Sequence, residues 1–163
     1  ETKVGFKYLA PVMLEKDALI AGEESGGTAF RGHVRERDGP LSALRIMELM
    51  ATTKKPPGEL LRSLHELYGE RSYDRYDLAV TSEVTERLMD RLESEVPNSI
   101  GELSVIGTDR IDGFRYLLEN NSWAAVRLSG TEPLVRVYAE TENRRSTELV
   151  IEDIVKSIEV QNV

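Results

Sequence analysis

Apolar residues follow two regimes along this chain. Up to about residue 68 they gather at helical spacing; beyond it they fall mostly in short runs typical of strands. Ala18-Leu19-Ile20-Ala21-Gly22 predicts a short buried strand entering a glycine cluster. After Gly39-Pro40, the spacing of Leu41, Leu44, Met47, Leu49 and Met50 predicts a helix with few β-branched residues. Pro56-Pro57 stops that element, and Leu60, Leu61, Leu64, Leu67 and Tyr68 give a second short helix.

Further on, Tyr76 to Val80 reads as a strand, with Thr81 or Ser82 placed to cap a following helix and Glu83 in its first turn. Val84, Leu88, Leu92 and Val96 recur every fourth residue and predict one buried face, ended by Pro97-Asn98. Strands are expected at 103–106, 114–118, 123–128 and 134–139, with turns at Asp112-Gly113 and Glu119-Asn120-Asn121. Trp123 is expected in the core, and Leu149, Val150, Ile154, Val155 and Ile158 form a last helix. The expected fold is an α/β portion over 1–69, a linker over 70–75, and an α+β domain over 76–163. That domain should hold a largely antiparallel four- to five-stranded sheet and two helices.

Composition narrows the function. The formal charge of −8 speaks against general nucleic-acid binding and makes any anion site a local matter of clustered cations and N–H groups. With no cysteine, disulfides and thiolate chemistry are excluded. No apolar run approaches membrane-spanning length, so the expectation is a cytoplasmic protein without a membrane partner. The chain opens at Glu1 without methionine, and the expectation is a piece of a longer protein.

The densest chemistry lies in Arg127-Leu128-Ser129-Gly130-Thr131-Glu132-Pro133-Leu134-Val135-Arg136, which joins two apolar strands. Ser129 and Thr131 offer hydroxyls, Gly130 lets the backbone turn N–H groups toward an anion, and Arg127 and Arg136 add bidentate donors. In the plain alternative, Gly130 and Pro133 shape a turn and both arginines form salt bridges. With no histidine nearby in sequence to activate Ser129 or Thr131, the loop suits binding rather than bond breaking.

A second cluster, Gly22-Glu23-Glu24-Ser25-Gly26-Gly27, suits sugar hydroxyls: a carboxylate accepts from two of them and a serine hydroxyl does either. Were the segment extended, Glu23 and Ser25 would share a face. Lys7, among apolar neighbours, is a candidate phosphate contact or proton donor, with a snorkelling surface lysine as the alternative. His33 sits among Arg31, Arg35 and Arg37 as a candidate accessory anion contact, unless Glu36 and Asp38 simply balance that patch. Asp109 to Gly113 lacks the regular oxygen spacing of a calcium loop and reads as a turn, so no metal site is expected in this chain.

In order, Val4-Gly5-Phe6-Lys7-Tyr8, Gly22 to Gly27, Asp38-Gly39, Asp109 to Gly113 and Arg127 to Arg136 resemble the C-terminal part of the α-D-phosphohexomutase family. That family includes phosphoglucomutases and phosphomannomutases. The resemblance implies the closing portion of a third domain and a fourth domain related to the TATA-box-binding-protein type. It assigns Glu23 and Ser25 to sugar hydroxyls. The non-transferring phosphate goes to Arg127, Ser129, Gly130 and Thr131, with Arg136 in support, and Lys7 receives an assisting acid–base role. It further implies interconversion of hexose 1-phosphate and hexose 6-phosphate through an enzyme phosphoserine, with Mg2+ and a hexose 1,6-bisphosphate as intermediate or activator. The partners implied are a hexose phosphate and the N-terminal domains of the same enzyme. The serine loop and the Asp-x-Asp-x-Asp magnesium loop of the family do not occur in this sequence, so the chain alone is expected to lack turnover. Some branches carry histidine where Gly27 stands, which leaves the sugar open, although the consecutive glutamates lean slightly toward a phosphoglucomutase or dual-specificity reading. The rival reading is a stand-alone anion-binding or regulatory module.

Overall fold

The computed structural model describes residues 1–23, 25–81, 87–88, 90–92, 94–129 and 133–159. Glu24, Ser82, Glu83, Val84, Gly130, Thr131 and Glu132 therefore lie outside the described residues, and with them the expected helix cap and half of the expected phosphate loop. The chain divides into two compact units, Glu1–Leu67 and Tyr68–Val163.

The first unit opens with α1 (Phe6–Glu15), which the hydrophobic pattern did not announce because Pro11 sits inside it. Proline has no N–H to return to the carbonyl one turn back, here that of Lys7. The helix buries Phe6 and Met13, seven residues apart on one face, against Ala29, with Leu9, Ala18 and Ala21 at the margin. β1 (Ile20–Gly22) and β2 (Thr28–Phe30) pair antiparallel, Ala21 opposite Ala29. α2 (Gly39–Thr53) starts where expected. Asp38 caps it by accepting from the Leu41 N–H at 2.8 Å, and Pro40 occupies the first turn, where its missing N–H is harmless. α3 (Pro57–Tyr68) follows.

The strand expected at 18–22 is not buried. Leu19 and Ile20 are 68% and 56% exposed, because β1 has only β2 beside it in a two-stranded ribbon. The apolar faces of α2 and α3 are open too: neither helix buries a residue, and Leu44, Met47, Leu61, Leu64 and Leu67 all stand exposed.

The second unit holds a six-stranded antiparallel sheet in the order β3-β8-β7-β6-β5-β4. Its strands are β3 (Ser72–Ala79), β4 (Ser99–Ile100), β5 (Leu103–Asp109), β6 (Phe114–Leu118), β7 (Ser122–Leu128) and β8 (Leu134–Thr141). Five are long, and the two-residue β4 extends the expected count. β3 begins at Ser72 and takes in most of the stretch read as a linker, since its residues pair along the whole of β8.

One face of this sheet carries Leu78, Phe114, Tyr116, Leu118, Ala124, Val126, Val135, Val137 and Ala139. All pack in one core with Leu88, Leu92 and four residues of α4 (Arg144–Glu159): Val150, Ile151, Ile154 and Ile158. Val126, Val135, Val137 and Val150 are fully buried, each worth roughly 1.5–3 kcal/mol. Two threonines buried among them satisfy each other, Thr141 Oγ1 to Thr147 Oγ1 at 2.9 Å, and Thr147 Oγ1 lies 3.0 Å from the Ser72 carbonyl. Asn143 caps α4 by accepting from the Ser146 N–H at 3.0 Å.

Of the predicted four-residue stripe, Leu88 and Leu92 are buried. Val96 is not: it lies past the last helical residue, Ser94, and is 42% exposed as the chain turns toward Pro97. Trp123 is also misplaced by the sequence reading. It lies on the face of the sheet away from α4, half-buried against Tyr73 at 6.3 Å between ring centroids, because its neighbours Ser122 and Ala124 take the inward positions.

Candidate functional site

Register decides which side chains meet at the β7–β8 loop. Arg127 on β7 lies directly opposite Arg136 on β8, and Arg136 lies opposite Asp77 on β3. Residues directly opposite project to the same face, so two guanidinium groups and one carboxylate share the side of the sheet away from α4 at the root of the loop. Two like charges across strands are unfavourable unless something negative lies between or beside them. Here Asp77 Oδ2 is 3.9 Å from Arg136 Nε, and Arg75 Nε approaches the other Asp77 oxygen at 3.0 Å.

Arg127 has its own partners. Nε stands 2.5 Å from Asp112 Oδ2, an ionic contact without the alignment of a hydrogen bond, and Nη1 donates to the Tyr138 hydroxyl at 3.2 Å. The guanidinium carbon lies 5.9 Å from the centre of the Tyr138 ring, and Tyr138 itself is buried. Asp112 reaches Arg127 because Gly113 adopts φ +80, and a Cβ there would collide with the Val126 carbonyl and come 2.8 Å from Arg127 Cγ. The Ser129 N–H is already committed to the Leu134 carbonyl at 2.9 Å, closing the hairpin. Of the backbone donors expected to face an anion, that one is occupied, and the Ser129 hydroxyl remains. Gly130 and Thr131 lie outside the described residues.

In the first unit, Glu23, Gly26 and Gly27 are tied together rather than strung out along a strand: the Gly26 N–H donates to the Glu23 carbonyl and the Glu23 N–H to the Gly27 carbonyl, both at 2.9 Å. Glu23 and Ser25 therefore do not share a strand face. Ser25 is exposed, whereas the Glu23 side chain is only 6% exposed and accepts from Arg37 Nη1 at 3.2 Å. Arg37 gets there by lying across Gly27. A Cβ at residue 27 would come 2.5 Å from Arg37 Cδ and 3.3 Å from Glu23 Oε2. The guanidinium then passes over Phe6, 5.6 Å from the ring centre. Sequence reasoning counted Arg37 within the basic patch around His33 and Asp112 within a turn, and so passed over both contacts. The paired glycines, Gly26-Gly27, were the available signal for the first.

Lys7 lies exposed in the first turn of α1, its ammonium 4.9 Å from the centre of the Tyr8 ring. His33 Nε2 meets Asp38 Oδ2 at 2.7 Å, so the balancing acid is in direct contact with it. The Leu41 N–H and then His33 hold the Asp38 carboxyl below its usual range. Among the described residues, no three His, Asp or Glu side chains converge as metal ligands would, and no helix is long and apolar enough to cross a membrane. A concavity of about 200 Å³ lies on the other face of the sheet, lined in part by Arg91, Glu95, Ser99, Tyr116 and Asp153, and so is not continuous with Arg127.

Two family models match. Residues 1–68 match the α/β/α domain III of phosphoglucomutase/phosphomannomutase, and residues 82–157 match its C-terminal domain. A Thermococcus kodakarensis protein named phosphoglucomutase/phosphomannomutase is 29% identical over 97% of this chain and 32% of its own length. A Carboxydothermus hydrogenoformans phosphoglucosamine mutase is 30% identical over 98% of this chain and 31% of its own. A crystal structure from Thermus thermophilus, described as a phosphomannomutase, superposes with a TM-score of 0.73 at 32% identity, covering 96% of this chain and 30% of that one. The chain thus spans about a third of the length of the curated relatives it matches. With both halves matched in order, and the helix-backed antiparallel sheet where the C-terminal domain falls, the chain belongs to the phosphoglucomutase/phosphomannomutase family.

Proposed function

We propose that this chain forms the substrate-gripping portion of a phosphohexomutase that interconverts hexose 1-phosphate and hexose 6-phosphate. Arg127 holds the phosphate that is not transferred, with the Ser129 hydroxyl, Gly130 and Thr131 completing the grip and Arg136 reinforcing the positive field. Glu23 and Ser25 meet sugar hydroxyls, and Lys7 assists proton movement at the reacting end. Pinning the far phosphate turns remote binding energy into orientation of the reacting oxygen. The phosphoserine belongs to the rest of the whole protein, and a magnesium ion held there would offset charge on the transferring group. The chain by itself binds without turning over.

The observation that carries this reading is the cross-strand placement of Arg127 and Arg136 on one face at the root of the loop. Arg127 carries five N–H donors, more than its contacts with Asp112 and Tyr138 occupy, so charge-assisted bonds to a dianion remain open beside a second guanidinium in a protein of charge −8. The relatives bear glucose, mannose and glucosamine names, so the substituent at the sugar 2-position is the feature to vary.

Calorimetric titration with glucose 6-phosphate, glucosamine 6-phosphate, mannose 6-phosphate and glucose tests it. The phosphate esters should bind and glucose should not. Arg127→Ala should weaken the esters by about 10- to 100-fold, the loss of a charge-assisted pair. Equal affinity for glucose and its 6-phosphate would remove the basis for the assignment.

A further inference from the structure

The contacts around Arg127 are more specific than a salt bridge of convenience. Its side chain and that of Asp112 are 22% and 25% exposed, so their contact is largely withdrawn from water. Asp112 meets the guanidinium side-on, at Nε. The Tyr138 hydroxyl accepts from Nη1 and the Tyr138 ring lies alongside. Two points of attachment and a neighbouring ring fix both the position and the plane of the group. An arginine has five N–H donors, and these contacts leave its terminal edge able to face an anion.

The approach of Asp112 is also built in. Only a residue without Cβ fits at 113, given the Val126 carbonyl and the Arg127 stem. Asp112 therefore arrives on a turn moulded to Arg127, while Tyr138 arrives on the strand beside it, opposite Ala125.

We propose that Asp112 is a positioning residue for phosphate binding, which with Tyr138 holds the Arg127 guanidinium in its binding orientation before ligand arrives. This rests on the phosphate reading of the β7–β8 loop. A long, flexible arginine loses rotamer freedom when it grips an anion, and a side chain already held loses less. Removing the Asp112 charge also removes some repulsion toward the anion. Asp112 stands at Nε, away from the terminal edge that meets the anion, so that opposing effect acts over the longer distance and the loss of orientation outweighs it.

The test is a double-mutant cycle in the full chain, read by glucose 6-phosphate titration with inorganic phosphate as second probe. Asp112→Asn should weaken both ligands by about 3- to 10-fold, the scale of one immobilised side chain. In an Arg127→Ala background the same substitution should change nothing. Tyr138→Phe, which keeps the ring, should give a smaller loss of the same kind. Without ligand, 15N relaxation of the Arg127 Nε–H should show a restrained group that becomes mobile in Asp112→Asn. Unchanged or tighter binding, an equal loss in the Arg127→Ala background, or an Nε–H already mobile in the unsubstituted chain overturns the inference. If Arg127→Ala itself leaves ester affinity unchanged, or the unsubstituted chain binds neither ligand, the phosphate reading fails and this inference with it.

Discussion

Tyr116 illustrates how a single polar atom sets a pH response. It is 3% exposed on the core face of β6, edge-on to Phe114 at 5.0 Å between ring centres. Burial pushes its phenol up from 10.0 to about 12, against the opposing pull of Arg91. A raised value means that the folded chain keeps this proton after the unfolded chain has released it. The associated stability is complete below pH 10 and drains away as pH rises toward about 12, by on the order of 2–3 kcal/mol. Tyr116→Phe should leave stability near neutrality unchanged or slightly higher, and flatten the alkaline decline relative to the unsubstituted chain. Urea titrations at pH 8, 10 and 11.5 would show this, and parallel declines for the two proteins would contradict it. Asp38 works in the other direction. Its lowered carboxyl lends support to α2 above its ordinary value and surrenders it as pH falls below that value.

At the scale of elements, the turn between β4 and β5 is packed hard against α4. Gly101 adopts φ +53, a Cβ there would lie 2.5 Å from the Val150 N and 2.7 Å from its Cα, and its own N–H donates to Asp153 at 3.0 Å. Gly101→Ala should therefore destabilise the unit by about 2–4 kcal/mol through backbone strain and the collision with α4, seen as a lowered urea midpoint. A shift under about 0.5 kcal/mol would mean that the turn yields freely.

Such joints were invisible in the sequence, whereas the elements they connect were not. The short apolar runs at 114–118 and 123–128 revealed β6 and β7, and Asn120-Asn121 marked the turn between them; both adopt positive φ. Only local pattern was needed there. Failures came where a distant contact decides. No helix was read over 6–15, where Pro11 interrupts the backbone ladder, yet α1 forms because Phe6 and Met13 have a core to reach. Trp123 looked like a core residue until the register of β7 sent it outward. At the site, Arg127 and Arg136 were legible as types, but that they stand opposite each other depends on strand pairing. The reach of Arg37 to Glu23, fourteen residues away, depends on space left by Gly27, which no periodicity encodes.

The two units differ in how much core each closes. Among the described residues, the second gathers sixteen buried hydrophobic ones in one cluster, while the first has Phe6, Met13 and Ala29. Stability follows buried apolar area, and local opening follows its absence. Hydrogen exchange read by mass spectrometry should therefore find strong protection in β6, β7, β8 and α4, and rapid exchange in α2 and α3, whose faces are open. Comparable protection in both units would overturn this ordering, and would show that something covers Leu44, Met47, Leu61 and Leu64 in solution.

The placement of Trp123 has a practical corollary. It is the sole tryptophan of the chain, and it sits in the sheet of the second unit with Tyr73 close enough to pass excitation energy to it. Emission excited at the red edge of the indole band thus reports the surroundings of a residue in the second unit, and the first unit has no tryptophan to add to it. A melt watched by fluorescence and one watched by far-ultraviolet dichroism should part company wherever α2 and α3 uncoil ahead of the sheet, and the gap between the two curves reads out the first unit without any added label.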